Sequence, residues 1–354
     1  MSAVRRDRVG VAVMVAVVAV LIALPTFGSQ YFVEFVMTRA LILGLAASTL
    51  IFLSAYGGMV SLAQLLMYGV AGFVIGNAVA AEGSTKGLTL GLNPWVAVVA
   101  ALVITTIVAL VLGALSSRTY GIYFLMLTLA YAVIGYYVFG QVTTLSGFGG
   151  VTGIGPPSLL DGPVRLYFAG LALSVGAYIG FRLIRRAPFG VALEGVRDDP
   201  IRMASLGFHV PLHRTLAFTL AGFVAAGAGV LNVWWNGQID PNTLSIGATI
   251  DLLVIAVIGG IGRLEGAWLG ALVFVAANSY MRDLPFAETL GLTEARFNTV
   301  VGLLVLAIVV LSPDGLMGMI LRARGKGRGS RASRASPSIA RPEHLDGEIL
   351  ANSS

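Results

Sequence analysis

The sequence predicts an all-α, polytopic membrane protein with about ten transmembrane helices and both termini in the cytoplasm. Three observations predict it. Hydrophobic residues make up 57% of the 354 and charged residues 11%, whereas a soluble domain carries about 25% charged residues. The apolar residues fall into runs long enough to span a bilayer, which takes about 20 residues. The basic residues gather in alternate connections between those runs.

Residues 1–8 form a short basic head with Arg5, Arg6 and Arg8. Residues 9–27 run without a charge, and no small-x-small cleavage site follows cleanly. They read as a retained first helix rather than a signal peptide. Further spans are expected at 36–55, 58–80, 94–115, 120–140, 164–184, 215–235, 246–260, 266–281 and 297–320. The pair at 246–260 and 266–281 is short and glycine-flanked, as tilted, broken or re-entrant segments are. With the amino terminus inside, 18 of the 23 Lys+Arg fall on the cytoplasmic side. They are Arg5, Arg6, Arg8, Arg118, Arg182, Arg185, Arg186, Arg197, Arg202, Arg214, Arg263 and the seven basic residues from Arg322 to Arg341. Arg39, Lys86, Arg165, Arg282 and Arg296 remain outside. The bias supports an even helix count and a multi-pass membrane protein with both ends cytoplasmic. The chain divides into the head, a transmembrane domain at 9–320 with a cytoplasmic loop at 185–214, and a tail at 321–354. That tail is rich in Arg, Ser and Gly, which predicts disorder, solvated or touching anionic headgroups.

Cysteine is absent, which excludes disulfides and thiolate metal sites. His209, His213 and His344 lie in polar segments without a carboxylate cluster, which argues against a metal. The net charge of +6 follows the topology, so its expected partner is membrane lipid rather than nucleic acid.

The loop at 185–214 is the one long polar interruption. Phe189, Ala192, Leu193 and Val196 fall at i, i+3, i+4 and i+7, with Glu194 and Arg197 off that stripe, predicting a short amphipathic helix. A second helix should follow: Asp199 can cap it, Pro200 suits its first turn, and Gly207 can end it after Leu206. Such a piece is too short to hold in water, where about 12 residues are needed, so it forms docked on something. Apolar Ile201, Met203 and Leu206 among charges point to a surface for a partner. An ordinary basic cytoplasmic loop is the competing reading.

Four features stand above the apolar background. The first is the turn from Gly57 to Gln64, where Ser61 and Gln64 have capping-box spacing. The second is the turn from Gly259 to Gly266, with Gly260 and Gly262, which shares a double glycine and a following leucine with the first. The third is the run 221–229, whose small residues suit close helix packing. The fourth is Asp251, an ionisable residue inside a span and so a candidate for pathway or gating, with Arg39 or Arg296 as its alternative salt-bridge partner. No embedded cluster of carboxylates, lysines or histidines appears, which counts against an ion-coupled carrier. No G-x-x-x-x-G-K-[ST] loop appears either. The chain is therefore expected to be no enzyme and to bind no cofactor directly, any ATP being used by another chain.

The order of the Tyr56–Gln64 turn, the segment 119–130, the Gly-rich stretch 145–155, the loop 187–210 and the segment 257–271 resembles the permease family of ABC importers for branched-chain amino acids, of the LivM type. The resemblance runs from about residue 36 to residue 315. It implies a second homologous permease, two ABC ATPase subunits docked below, and an extracytoplasmic substrate-binding protein. It also implies that 190–210 is the ATPase-coupling segment, with Glu194, Arg197, Asp198, Asp199, Ala204 and Gly207 at the recognisable places. The chain departs from the family pattern at Pro200, Arg202 and Met203, where acidic or small residues are usual. Asp251 falls where relatives often carry an acidic residue. Permeases for urea, short amides and other small polar solutes look similar, and nothing in the chain selects leucine among them.

Overall fold

The computed structural model describes residues 17–25, 31–79, 88, 90–280, 302 and 315–323. A π-helical turn, Phe32–Met37, leads into α1 (Thr38–Gly57), followed by α2 (Gln64–Val79), α3 (Pro94–Ser116) and α4 (Gly121–Gln141). After β1 (Val151–Thr152) come α5 (Pro163–Arg186), α6 (Pro188–Asp198), α7 (Pro200–Ser205) and α8 (Val210–Asn236). Then come β2 (Gln238–Ile239), α9 (Ile246–Gly259), α10 (Gly266–Tyr280) and α11 (Gly315–Ala323). Residues 17–25 are also helical.

Among the described residues, five helical stretches are long and apolar enough to cross a membrane: Phe32–Gly57, α3, α4, α5 and α8. Three shorter apolar helices join them: α2 has 16 described residues, α9 has 14 and α10 has 15. At 1.5 Å per residue α9 rises about 21 Å, less than the roughly 30 Å of a hydrocarbon core, as expected of a short segment; α2 and α10 reach the limit of the described residues. The expected helix over 58–80 begins only at Gln64, because 58–63 forms a non-helical turn in which Met59 and 61–63 are buried. The expected spans at 9–27 and 297–320 lie largely outside the described residues, as do the head and most of the tail. Helix α11 runs to Ala323, past the expected start of the tail at 321.

Helix α1 is the axis. Leu45, Ala46, Ala47, Leu50, Ile51, Phe52 and Leu53 are all at most 1% exposed, and α2, α5, α6, α8, α9 and α10 pack around it. Helix α3 shows how the periphery attaches. Ala97, Ala101, Thr105, Ala109 and Gly113 recur every four residues on its buried face, while Val96, Val99, Val103 and Ile107 face outward. The inward stripe meets α8, whose run 221–229 has the packing role its spacing predicts. A Cβ on Gly222 would stand 2.6 Å from that of Ala109, and one on Gly229 would strike the Tyr68 carbonyl. Lipid tails are as apolar as leucine, so helices in a bilayer associate through such close backbone approach and dispersion.

Successive connections alternate between two ends of the bundle. At one end β1 and β2 pair antiparallel, Val151 opposite Ile239 and Thr152 opposite Gln238. The other end gathers 58–63, 117–120, 187–209 and 260–265, tied by the contacts described below. Arg118, Arg182, Arg185, Arg186, Arg197, Arg202, Arg214 and Arg263 belong to this loop end, and Arg39 and Arg165 to the strand end. The arginine asymmetry read from the sequence therefore follows the folded chain among the described residues.

Candidate functional site

At the loop end the chain leaves α5 through a tight corner. A Cβ on Gly190 would strike the Ile184 carbonyl, so only glycine lets α6 fold back so closely. Pro188 opens α6 at a position where its missing N–H costs nothing. Gly190, Ala192, Leu193 and Val196 form its buried face, and Phe189 stacks on His213 with ring centroids 5.7 Å apart. Arg185 pairs with Glu194 at 3.0 Å and lies over Tyr56, 5.1 Å from the ring centroid. Both ends of this ion pair are partly exposed, so it orients α6 more than it stabilises it.

Arg197, at the far end of α6, is the clamp. Its Nη1 donates to the Ala55 carbonyl in the last turn of α1, and its stem covers Gly58, where φ is +64°. Asp198 accepts from the same guanidinium at 2.8 Å. A cation on the terminal carbonyls of a helix is favourable both as a hydrogen bond and against the helix dipole. The 185–214 loop is thus fastened to the central helix.

Asp199 then turns the chain: its Oδ1 accepts from the Arg202 N–H at 2.9 Å and caps α7. Gly207, φ +89°, ends it, with Phe208 N–H donating to the Met203 carbonyl at 3.1 Å. The structure divides the coupling residues read from the sequence. Ile201 is 80% exposed and Leu206 65%, and Ala204 and Gly207 are also exposed. Met203 departs from the expected outward surface. It turns in against Gly195, where a Cβ would stand 2.9 Å from its sulfur. Glu194, Arg197, Asp198 and Asp199 are engaged in holding the loop.

The double-glycine turns differ from each other. In the first, Met59 N–H donates to the Leu53 carbonyl at 3.0 Å, and Leu62 N–H donates to Thr128 Oγ1 at 3.1 Å. Non-helical backbone at membrane depth needs such partners. Ser61 and Gln64 do not form the expected capping box. Ser61 Oγ accepts from Ala63 N–H at 3.3 Å and from Gln64 Nε2 at 3.5 Å. The helix starts at Gln64, two residues later than a box would place it, and Thr128 on another helix takes the Leu62 N–H. Both side chains are fully enclosed, so in this conformation they line no open path. In the second turn, Gly259, Gly266 and Gly270 bring the backbones of α9 and α10 into contact, and Gly315 sits on Gly260. Gly259 and Gly260 are packing positions here, while Gly262 has open space beside it.

Arg214 escapes a reading by composition, which counts it as a loop charge. It lies inside α8 and is 4% exposed. Its Nη1 donates to the Ser117 carbonyl at 2.8 Å, its Nε faces Met59 Sδ at 3.1 Å, and its plane lies 4.1 Å from the Tyr120 centroid. One side chain joins two loop-end turns to α8. The signal for it was Pro211, which starts the helix before the expected Thr215.

Asp251 lies near the strand end of α9 and is exposed. Of its two expected partners, Arg39 on α1 acts on its carboxylate; Arg296 is outside the described residues. No group of His, Asp and Glu able to hold a metal occurs among the described residues.

Comparison with known proteins places this arrangement. The chain is 30% identical over 159 residues to the high-affinity branched-chain amino acid transport system permease protein LivM of Escherichia coli (strain K12), covering 45% of this chain and 35% of that protein. It is 31% identical over 179 residues to the autoinducer 2 import system permease protein LsrC of Klebsiella pneumoniae, covering 47% and 49%. It is 24% identical over 153 residues to a probable branched-chain amino acid transport permease protein LivH of Methanocaldococcus jannaschii, covering 43% and 47%. The chain thus spans half or less of the length of these curated relatives. No solved structure matches it. The profile of one family matches residues 32–312, which include both double-glycine turns and the α6–α7 corner, and the chain belongs to that family, the permease component of branched-chain amino acid transport systems.

Proposed function

We propose that this chain is a permease subunit of an ATP-binding-cassette importer in the bacterial inner membrane. It forms half of a translocation pathway for branched-chain amino acids or a related small polar solute. A homologous permease supplies the other half, an extracytoplasmic binding protein delivers the solute, and two ATPase subunits dock at the loop end. The chain binds no cofactor itself, and ATP is used by those subunits. The LsrC relative is named for a different solute, so the solute class is set more widely than leucine.

The observation that carries this reading is α7. It is a capped helix of six residues lying outside the spans, presenting Ile201 and Leu206 to solvent. A helix so short does not persist alone, and exposed aliphatic residues at its tip suit a partner surface. The loop behind it is fastened to α1 by Arg197, so force on α7 reaches the bundle. The test is ATP-dependent uptake of L-leucine by the assembled importer in proteoliposomes. Leu206→Asp and Gly207→Arg should each abolish uptake while the chain stays folded in the membrane. Normal uptake in both variants would sink the coupling assignment.

A further inference from the structure

A long groove runs along the flank of α8. Helices α3 and α5 both pack against α8, and between them lies a cavity of about 520 Å³. Trp95, Leu173 and Phe223 on its rim are exposed, so it opens to the surroundings. Its α8 wall runs from Leu220 to Trp234, about 21 Å along a membrane-crossing helix. Its α5 wall is low, because a Cβ on Gly176 or Gly180 would meet nothing within 4 Å. No charged or hydroxyl-bearing side chain lines the groove, so it cannot replace the water around a polar solute.

Its width selects among apolar occupants. The volume spread over that length is a mean cross-section of about 25 Å². A helix about 10–12 Å wide needs roughly 80–110 Å², so the groove admits a hydrocarbon chain and not a further span. Two polar groups then mark its strand end. Trp234 is 6% exposed, and its Nε1 is buried without a hydrogen-bond partner among the described residues; a buried indole N–H calls for an acceptor. Arg165 is exposed and lies one helical turn before Ala169, which lines the groove, on the same face of α5. Its hydrogen bond to the Ser158 carbonyl is long at 3.4 Å, and no ion pair joins it to Asp161. Trp234 and Arg165 each stand two residues, about 3 Å, inside the strand-end terminus of their helices. That is the level of a bilayer where acyl chains give way to headgroups.

We propose that the groove between α3 and α5 is a binding site for a glycerophospholipid of the leaflet at the strand end. One acyl chain lies along α8 over Gly176 and Gly180. Its ester carbonyl accepts from Trp234 Nε1, and the phosphate accepts from the Arg165 guanidinium, a charge-assisted contact. Hydrocarbon, carbonyl and phosphate follow one another in the lipid in the order in which the apolar walls, Trp234 and Arg165 offer their complements. The bound chain completes the packing of α8 where α3 and α5 leave it uncovered, whatever solute the protein transports.

The experiment is photolabelling of the full chain in vesicles of equal parts phosphatidylethanolamine and phosphatidylglycerol. The probe is a phosphatidylethanolamine with a diazirine midway along one acyl chain, and labelled residues are mapped by mass spectrometry. Ala177 and Val224 in the groove should be labelled several-fold more than Val99, Val103 and Ile107, which face outward on α3 and meet passing lipid. Gly176→Leu combined with Gly180→Leu fills the groove and should abolish that excess while the chain melts in detergent like the wild type. Trp234→Phe and Arg165→Gln should each lower it roughly two- to tenfold, the worth of one hydrogen bond. An ether-linked probe, which lacks the carbonyl, should label the wild type as weakly as the ester probe labels Trp234→Phe, and that variant should weaken it no further. Groove labelling no stronger than that of the outward α3 face overturns the proposal, and this comparison within the wild type decides even if the leucine pair misfolds. Labelling that appears only after a co-purifying protein is stripped away also overturns it, making the groove a seat for protein. Equal labelling by the ester and ether probes, with Arg165→Gln without effect, overturns the assignment of a phospholipid.

Discussion

Replacing Arg197 by alanine tests whether the loop end is mechanically joined to the central helix. The substitution removes the hydrogen bond to the Ala55 carbonyl and the aliphatic stem over Gly58. A hydrogen bond from a charged donor contributes about 1.5–3 kcal/mol, and a cation at a helix C-terminus a further 0.3–1 kcal/mol or so. The Arg197 side chain is 36% exposed, which favours the lower end of both ranges. The clamp is therefore worth about 2 kcal/mol, equivalent to roughly a 30-fold shift in the equilibrium holding α6 on α1. Two readouts follow. Thermal unfolding of the purified chain in detergent should move to lower temperature, whatever the chain transports. In the assembled importer, ATPase binding should persist, because Ile201 and Leu206 are untouched, while uptake falls at least tenfold. Gly58→Ala perturbs the same contact from the other side, placing a Cβ 2.5 Å from Arg197 Cγ at a φ of +64°. Its steric part should vanish when Arg197 is also alanine, leaving the backbone cost of about 1–2 kcal/mol. Strictly additive effects of the two substitutions, or Arg197→Ala melting and transporting like the wild type, would refute the clamp.

Other contacts give sharper local tests. Gly229→Ala drives a methyl group into the Tyr68 carbonyl and should lower the amount of folded protein recovered from membranes severely. Gly176→Ala, with nothing within 4 Å of its Cβ, should leave recovery unchanged. Thr128→Val strips the acceptor from the buried Leu62 N–H and should destabilise the chain by about 1–3 kcal/mol, with Thr128→Ser close to wild type. Arg214→Met removes the Ser117 hydrogen bond and the Tyr120 stacking together; the detergent melt should drop while the aliphatic volume is kept.

Much of the α6–α7 corner was legible because its signals are local. Asp199, Pro200 and Gly207 each act within one turn of chain, and the stripe of Ala192, Leu193 and Val196 needs only helical periodicity. The misreadings arise where a distant segment decides. Ser61 and Gln64 have the spacing of a capping box, yet Thr128, 66 residues from Leu62, supplies the acceptor that shapes the turn. Met203 reads as outward from its neighbours, but the fold back of α7 brings Gly195 beneath it. Arg214 is indistinguishable by composition from the basic loop before it, and only the start of α8 at Val210 carries it into the interior. Asp251 was visible as an anomaly, whereas the influence of Arg39 on it required two helices to be placed side by side.

Helix α1 runs on from the clamp as one rod. Arg197 grips α1 at Ala55, and Arg39 stands near the other end of the same helix, separated by 16 residues or about 24 Å of rise. If closure of the ATPases is transmitted through α1, then α6 and α1 move as one body and their contact need never open. The chain permits a direct check because it contains no cysteine. A Cβ at position 58 would stand 3.4 Å from that of Arg197, close to the roughly 3.5–4.5 Å that a disulfide spans. In the double variant Gly58→Cys with Arg197→Cys, the reduced protein lacks the clamp and should transport as poorly as Arg197→Ala. Oxidation replaces the clamp with a covalent tie and should restore uptake, the backbone cost at position 58 being common to both redox forms. Uptake that stays low after oxidation would mean that α6 must part from α1 in each cycle, and transmission along α1 as a rigid rod would be excluded.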